Sequence, residues 1–82
     1  MSLREEILEL MFKKIAFLTG KDVSTLSEDN KFVEDLGLKS ANIVQVIAAL
    51  EDEYDVEIPY MSFRRTESLG AAADFVVGLL EG

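Results

Sequence analysis

The stretch Phe32-Val33-Glu34-Asp35-Leu36-Gly37-Leu38-Lys39-Ser40 carries more information about fold and function than any other part of the chain. Gly37 predicts a position that needs positive φ or close backbone approach. Beyond Ser40, apolar residues recur at helical spacing, which predicts an amphipathic helix from about Ser40 to Tyr54. The stretch therefore ends a polar loop and places one hydroxyl at the N-terminus of a helix.

Composition restricts the possible functions of this 82-residue chain, which we expect to form one domain over residues 1–82. The absence of Cys and His removes disulfides, thiolate nucleophiles, the commonest zinc sites and imidazole acid–base chemistry, and we expect no metal site. Sixteen acids against eight bases give a net charge of −8, which predicts repulsion from nucleic acid and anionic membranes. We therefore expect neither nucleic acid nor a membrane as a partner. No apolar run is long enough to span a bilayer, so we expect a cytoplasmic protein.

The periodicity predicts an all-α fold, a four-helix bundle with a short third helix and a long loop after helix one. Helix one begins at Ser2, which forms a capping box with Glu5, and stops at Gly20. Its expected core stripe comprises Leu3, Ile7, Met11, Ile15 and Leu18. Residues 21–39 form the loop, and we expect it to be attached to the core by Val23, Leu26, Phe32 and Leu36.

Two faces are expected on helix two. The core stripe is Ile43, Ile47, Leu50 and Tyr54, with Val44 and Val46 at its margins, and the outer face is Ala41, Gln45, Ala48 and Asp52. After Pro59, residues 60–65 could form one short helical turn. The last helix begins near Ser68, a good N-cap, with the core stripe Leu69, Ala72, Ala73, Val76 and Leu80.

Ser40 has two compatible interpretations. Spacing alone favours an N-cap residue, whose hydroxyl accepts a hydrogen bond from the first helical turn. The second interpretation is a hydroxyl that another enzyme modifies, since a phosphodiester is favoured at a helix N-terminus. Because the chain lacks His and a hydrolase elbow motif, Ser40 is a poor candidate for a self-activated nucleophile.

The chain resembles the acyl carrier protein family over nearly its whole length. The family usually reads Leu-Gly-Leu-Asp-Ser-Leu where this chain has Leu36-Gly37-Leu38-Lys39-Ser40-Ala41. Its Ala-Leu-Glu-Glu-Glu-Phe-Asp-Ile-Glu-Ile-Pro is similar to Ala49-Leu50-Glu51-Asp52-Glu53-Tyr54-Asp55-Val56-Glu57-Ile58-Pro59. The start and end of its last helix resemble Ser68-Leu69-Gly70 and Asp74-Phe75-Val76.

This resemblance implies a non-catalytic carrier. A phosphopantetheinyl transferase would attach a 4′-phosphopantetheine arm from coenzyme A to Ser40, and the arm's thiol would hold an acyl group as a thioester for acyl-transferring enzymes. The resemblance also implies a monomer, and an acyl chain sheltered between the helices. Candidate lining residues are Ile43, Val46, Ile47, Leu50, Tyr54, Phe63 and Val76, which are equally plausible as ordinary core.

Several residues depart from the family pattern and suggest a specialised carrier. Lys39 replaces an Asp that is thought to help hold the transferase's metal ion, which places modification by a general transferase in question. The third helix, usually acidic, reads Tyr60-Met61-Ser62-Phe63-Arg64-Arg65. We expect recognition of a dedicated partner by shape and apolar contact, including Phe63, with fewer charges near the serine. The candidate partner-binding residues are Lys39, Ala41, Asn42, Gln45, Ala48, Asp52, Tyr60 and Met61.

Three other interpretations stay open at this level. An aminoacyl or peptidyl carrier would share the bundle and the serine, although peptidyl carriers often have His where Lys39 stands. An unmodified carrier-like interaction module is favoured by Lys39 but disfavoured by Ser40 at the helix start. An enzyme that uses the acids between Glu51 and Asp55 lacks any accompanying catalytic group, so a solvated charge run explains those acids better.

Overall fold

A computed structural model describes residues 1–82 and confirms the all-α, four-helix architecture. The helices are α1 (Leu3–Thr19), α2 (Ser40–Tyr54), α3 (Tyr60–Arg64) and α4 (Leu69–Glu81), with one 3-10 turn at Val23–Thr25. Helix α1 packs against both α2 and α4, and the short α3 closes the bundle between α2 and α4. None of these helices is long and apolar enough to cross a bilayer.

Local hydrogen bonds set the helix ends where the sequence predicts them. Ser2 Oγ accepts from the Glu5 N–H at 3.1 Å, and the Glu5 carboxylate accepts from the Ser2 N–H at 3.2 Å, which completes the capping box. Gly20 ends α1 in the left-handed conformation with φ 75°. Ser68 Oγ caps α4 by accepting from the Ala71 N–H at 3.2 Å. The predicted ends of helix one and the predicted start of the last helix are therefore confirmed, with Ser2 as the N-cap before the first helical residue, Leu3.

The core is a single cluster of seventeen buried apolar residues, and no polar side chain is buried with it. Phe63 is its largest fully buried side chain, and the ring of Phe63 lies 5.3 Å from that of Phe32, centroid to centroid. Burying an aromatic side chain of this kind contributes roughly 1.5–3 kcal/mol relative to an exposed one. Four residues predicted for the core stripes are only half-buried at its rim: Leu3, Leu18, Tyr54 and Leu80.

Two core expectations are wrong in detail. Val46 is fully buried and Val44 is 51% exposed, because the buried face of α2 follows the spacing i, i+3, i+4 and i+7 from Ile43. Val23 does not anchor the long loop and is 44% exposed. The bonds of this segment are local and polar: Asp22 Oδ1 accepts from the N–H and the hydroxyl of Ser24 at the start of the 3-10 turn.

The long loop is fastened to the rest of the bundle at two places. Phe32 and Leu36 are buried in the core, as predicted, and Leu26 is half-buried. Upstream of them, the Gly70 N–H donates to the Glu28 carbonyl at 2.8 Å and the Leu69 N–H donates to the Asn30 carbonyl at 2.9 Å. These bonds satisfy N–H groups in the first turn of α4 that have no intrahelical partner.

An ion triad reinforces this attachment. The Arg4 guanidinium contacts the Glu28 carboxylate at 2.8 Å and the Asp74 carboxylate at 2.6 Å, joining α1, the loop and α4. Gly70 allows this close approach, since a Cβ there would lie 3.0 Å from both Arg4 Nη2 and Glu28 Oε1. The loop that leads to Ser40 is thus bonded both to α1 and to α4.

Candidate functional site

Ser40 is the first residue of α2, and its side chain is exposed. The expectation that Ser40 is the N-cap is wrong. Lys39 occupies that position with extended φ −95° and ψ 166°, and the Lys39 carbonyl accepts the first helical bond from the Ile43 N–H at 3.1 Å. Because the hydroxyl of Ser40 has no capping role, it is available to another reagent.

The N-terminus of α2 has backbone N–H groups that donate to no other group of the protein. No side chain accepts from the N–H groups of Ser40, Ala41 and Asn42, and no carbonyl lies four residues before them in the helix. The one side-chain bond at this end runs from the Lys39 N–H to Asn42 Oδ1 at 3.0 Å. No acid stands in the first turn. The site therefore fits a phosphodiester on Ser40, which would supply the missing negative charge and acceptors.

A tight turn presents this helix end to solvent. Gly37 has φ +64°, and a Cβ built there meets nothing within 4 Å, so glycine is needed for its backbone conformation. Leu36 and Leu38, on either side, are buried. The Leu38 N–H also donates to the Phe32 carbonyl at 3.0 Å, which closes the turn. The predicted positive φ of Gly37 is confirmed. Lys39 and Ser40, which follow the buried Leu38, are exposed.

The predicted outer face of α2 is exposed and carries few charges. It comprises Ala41, Gln45, Ala48 and Asp52, and Val44 adds an apolar side chain beside them. Asn42 is half-buried, and its side-chain oxygen accepts from the Lys39 N–H at the helix start. From Ser40 to Leu50 the helix has no charged side chain. A partner that docks on this face meets a small, neutral surface.

On α3, the candidate partner residues divide into exposed and buried ones. Met61 is 49% exposed and Tyr60 is half-buried, so both are accessible. Phe63, also expected among the apolar partner contacts, is fully buried against Phe32 and cannot touch a partner. Phe63 belongs to the same buried cluster as Ile58 and Leu69, which lie before and after α3 in the sequence.

The candidate acyl-pocket residues lie in a closed core. Six of them, Ile43, Val46, Ile47, Leu50, Phe63 and Val76, are at most 6% exposed. The seventh, Tyr54, is half-buried, and burial together with the nearby Glu6 and Glu53 carboxylates raises the pKa of its hydroxyl. The three cavities of the structure are open grooves at the surface, and none is lined by the six buried residues. Accommodating a chain among them would require these side chains to move apart.

One feature of the surface was not predicted from the sequence. A groove of about 500 Å³ lies between the loop at residues 31–34 and the chain at residues 61–67. We call it the α3 groove; its lining residues are Lys31, Phe32, Val33, Glu34, Met61, Arg64, Arg65, Thr66 and Glu67. The two arginines stand out in the sequence of an acidic chain, but no sequence pattern shows that the loop packs beside them.

Comparisons with known proteins bear on the family of the chain. A family model described as a phosphopantetheine attachment site matches residues 12–76, which include Ser40. The chain is 33% identical over 74 residues to an acyl carrier protein of Tropheryma whipplei, an alignment that covers 90% of both chains. It is 34% identical over 62 residues to an acyl carrier protein of Clostridium acetobutylicum, covering 76% of this chain and 80% of the relative. An acyl carrier protein of a Sulfurovum species is 41% identical over 51 residues, with 62% and 68% covered.

Proposed function

Because the chain belongs to the acyl carrier protein family, whose members bear a covalent 4′-phosphopantetheine group, we propose that Ser40 is the residue that carries this group. The group's terminal thiol would hold acyl intermediates as thioesters. The observation that carries the proposal is the geometry of Ser40, an exposed hydroxyl next to three N–H groups without acceptors at the start of α2. A phosphodiester there gains both hydrogen-bond donors and a favourable helix dipole.

The other serines support this assignment by exclusion. Ser2 and Ser68 use their hydroxyls as helix caps. The hydroxyl of Ser24 donates to Asp22, and Ser27 accepts from the Asp29 N–H. Ser62 is exposed but lies inside the five-residue α3, where it has no helix N-terminus of its own. Ser62 is therefore the natural control in any test of Ser40.

The chain's own residues position the hydroxyl and do not activate it. No side-chain base is hydrogen-bonded to Ser40, so the proton acceptor for the transfer reaction has to come from the transferase. Lys39, the exposed residue that precedes the serine in the sequence, adds positive charge to the region of the proposed phosphodiester. The same charge disfavours a transferase that relies on an acid at this position, and we propose that loading depends on a transferase, broad-specificity or dedicated, that does not need that acid.

We propose that the acyl-handling partners are equally specialised. The surface they would contact includes Lys39, Ala41, Asn42, Gln45, Ala48, Asp52, Tyr60 and Met61. On this surface apolar and neutral contacts replace the charges that would otherwise accelerate association with a basic partner. The pathway is the biosynthesis of a fatty acid, a polyketide or another specialised acyl product. An aminoacyl or peptidyl cargo is the alternative, since the arm would be the same.

Intact-protein mass spectrometry tests the attachment residue. The protein is incubated with coenzyme A and a broad-specificity phosphopantetheinyl transferase, in parallel with Ser40→Ala and the matched control Ser62→Ala. We expect a gain of one phosphopantetheine in the wild type and in Ser62→Ala, but none in Ser40→Ala. A gain in Ser40→Ala would refute the assignment. If only a Lys39→Asp background is modified, Lys39 is the barrier to general transferases; no gain in either background would favour an unmodified interaction module.

Partner specificity has a separate test. The triple variant Lys39→Asp, Asn42→Asp and Gln45→Glu restores acids near the serine. We expect it to be loaded and turned over faster than the wild type by fatty-acid synthesis enzymes, because their docking depends on an acidic second helix. An unchanged rate of loading and turnover would show that the neutral face does not determine partner choice.

A further inference from the structure

The α3 groove combines positive charge with exposed apolar surface in a chain of net charge −8. Two of the three arginines in the protein, Arg64 and Arg65, line it, and both are exposed. The apolar surface comes from Val33, which is 50% exposed, and Met61, which is 49% exposed. A groove of this composition is suited to a ligand that has both carboxylates and apolar side chains.

Neither arginine has a partner within the protein. The ion pairs of the structure join Arg4, Lys13 and Lys31 to carboxylates, and none includes Arg64 or Arg65. Glu34 of the groove is already 3.3 Å from the Lys31 ammonium, which leaves two guanidiniums beside the single carboxylate of Glu67. An unpaired guanidinium has five donors that match a carboxylate in a bidentate geometry.

The arginines are also not needed to end α3. The carbonyls of Met61 and Phe63 already accept from the N–H groups of Arg65 and Thr66, and the Thr66 hydroxyl donates to the Phe63 carbonyl at 2.7 Å. Backbone and threonine groups therefore satisfy the end of this helix. Binding of an external ligand to the two guanidiniums therefore breaks no hydrogen bond or ion pair within the protein.

The floor of the groove is fixed before any ligand arrives. Phe32 lies at its base, 3% exposed, with its ring against that of the buried Phe63. The loop above it is closed by the bond from the Leu38 N–H to the Phe32 carbonyl, and by the Lys31 N–H, which donates to Asp35 Oδ2 at 2.7 Å. A rigid floor lowers the entropic cost of binding because little of the site has to be ordered.

We propose that the α3 groove docks a protein segment of a partner in which two or more carboxylates flank apolar side chains. The carboxylates pair with Arg64 and Arg65, and the apolar side chains cover Val33 and Met61. The proposal rests on the proposed carrier function in one respect, which is that the partner is an enzyme that handles the carrier's cargo. It places an acidic partner surface opposite α3, the reverse of a basic partner patch docking on an acidic carrier.

Selection from a library of short random peptides tests the chemistry of the occupant. The full unmodified protein is the target, and the double variant Arg64→Glu/Arg65→Glu is used for counter-selection. We expect enriched peptides to contain two or more Asp or Glu residues beside Leu, Ile, Phe or Met. Enrichment of basic or uncharged peptides, or no enrichment over the double variant, would overturn the proposal.

The enriched peptide then serves as the probe for affinity and location. We expect Arg64→Glu/Arg65→Glu to weaken its binding by about tenfold or more, and Met61→Ser to weaken it severalfold. The matched control Lys13→Glu/Lys21→Glu makes the same change in net charge away from the groove and should leave the affinity unchanged. Backbone amide NMR shifts should be confined to residues 31–34 and 61–67, and spectra of each variant confirm that it is folded. Equal weakening in both double variants would show a non-specific charge effect and refute the groove.

Two further measurements distinguish peptide docking from modification at Ser40 and from lipid binding. Peptide affinity is measured on unmodified protein, so the result does not depend on whether Ser40 accepts phosphopantetheine. Intact-protein mass spectrometry tests that modification separately. Vesicles containing phosphatidylglycerol are tested in parallel, since anionic lipid headgroups also bind arginine. Arginine-dependent binding to vesicles without selection of acidic peptides would assign the groove to lipid and overturn the protein-segment proposal.

Discussion

Replacing Lys39 with Asp should stabilise the protein, and the reason lies in the start of α2. Lys39 is the N-cap residue, yet no side chain accepts from the open N–H groups of the first turn, and no acid stands there. Its extended backbone, φ −95° and ψ 166°, is already the conformation in which an Asp side chain caps a helix. The substitution therefore adds a missing hydrogen bond without requiring a backbone change.

Two effects contribute to the magnitude. A good N-cap contributes typically about 1 kcal/mol over a residue that cannot cap. Exchanging a cation for an anion at the positive end of the helix dipole adds roughly 0.3–1 kcal/mol at low ionic strength. Together they predict an increase of about 1–2 kcal/mol in the free energy of unfolding. For a domain of this size, each kcal/mol corresponds to a rise in Tm of about 4–8 °C.

Urea and thermal denaturation followed by circular dichroism measure the change, and two further variants separate its causes. Lys39→Ala removes the positive charge without adding a cap, and Lys39→Asn adds a cap without adding a negative charge. We expect stability to rise in the order wild type, Ala, Asn, Asp, with the Asp advantage over Asn declining at high salt. If Lys39→Asp is no more stable than Lys39→Ala, the N–H groups at the start of α2 are not open, and the basis for an anion site at Ser40 is wrong.

Three other predictions concern stability. Gly37→Ala should lower the free energy of unfolding by about 1–2 kcal/mol because φ there is +64°, and Gly37→Asn should recover part of the loss in urea denaturation; an unchanged Gly37→Ala would contradict the required left-handed conformation. Hydrogen bonding to Arg4 lowers the pKa of Glu28, so its contribution to stability is present above the unfolded value of 4.5 and is lost as pH falls through the folded value. Glu28→Gln should therefore lose less stability on acidification than the wild type, and identical pH profiles would show that the ion triad does not matter. Phe63→Ala should cost about 3–5 kcal/mol in urea denaturation, because its ring is fully buried against Phe32, whereas a cost below about 1 kcal/mol would contradict the packing of these two rings.

The helices were predictable from the sequence because their ends are set by neighbouring residues. Ser2 with Glu5, Gly20 and Ser68 each act within one helical turn, and the long connection is recognisable from its lack of periodicity. The place of Ser40 at the start of α2 follows from the same local reasoning. Its capping role was predicted incorrectly, since Lys39 is an unfavourable N-cap residue and sequence preference alone shifts that position to the serine.

The remaining features depend on packing between segments that are distant in sequence. The burial of Val46 rather than Val44 depends on how α2 is rotated about its axis against its neighbours. Helical periodicity places both valines at the margins of the core stripe and does not determine which margin is buried. From the sequence, Phe63 was a candidate both for the core and for a partner contact. Its packing against Phe32, thirty-one positions earlier, places it in the core. The α3 groove arises from the same long-range contact. The sequence shows its basic and apolar residues, but it does not show that residues 31–34 and 61–67 lie side by side.

Isolation of the protein from the cells that make it, followed by tandem mass spectrometry, tests the central claim most directly. Trypsin cleaves after Lys39 and Arg64, so Ser40 becomes the first residue of a peptide that also contains Ser62. We predict that this peptide carries one phosphopantetheine and that fragment ions place it on Ser40. A modification placed on Ser62, or a peptide that is unmodified in all of the protein, would contradict the assignment of Ser40 as the carrier residue.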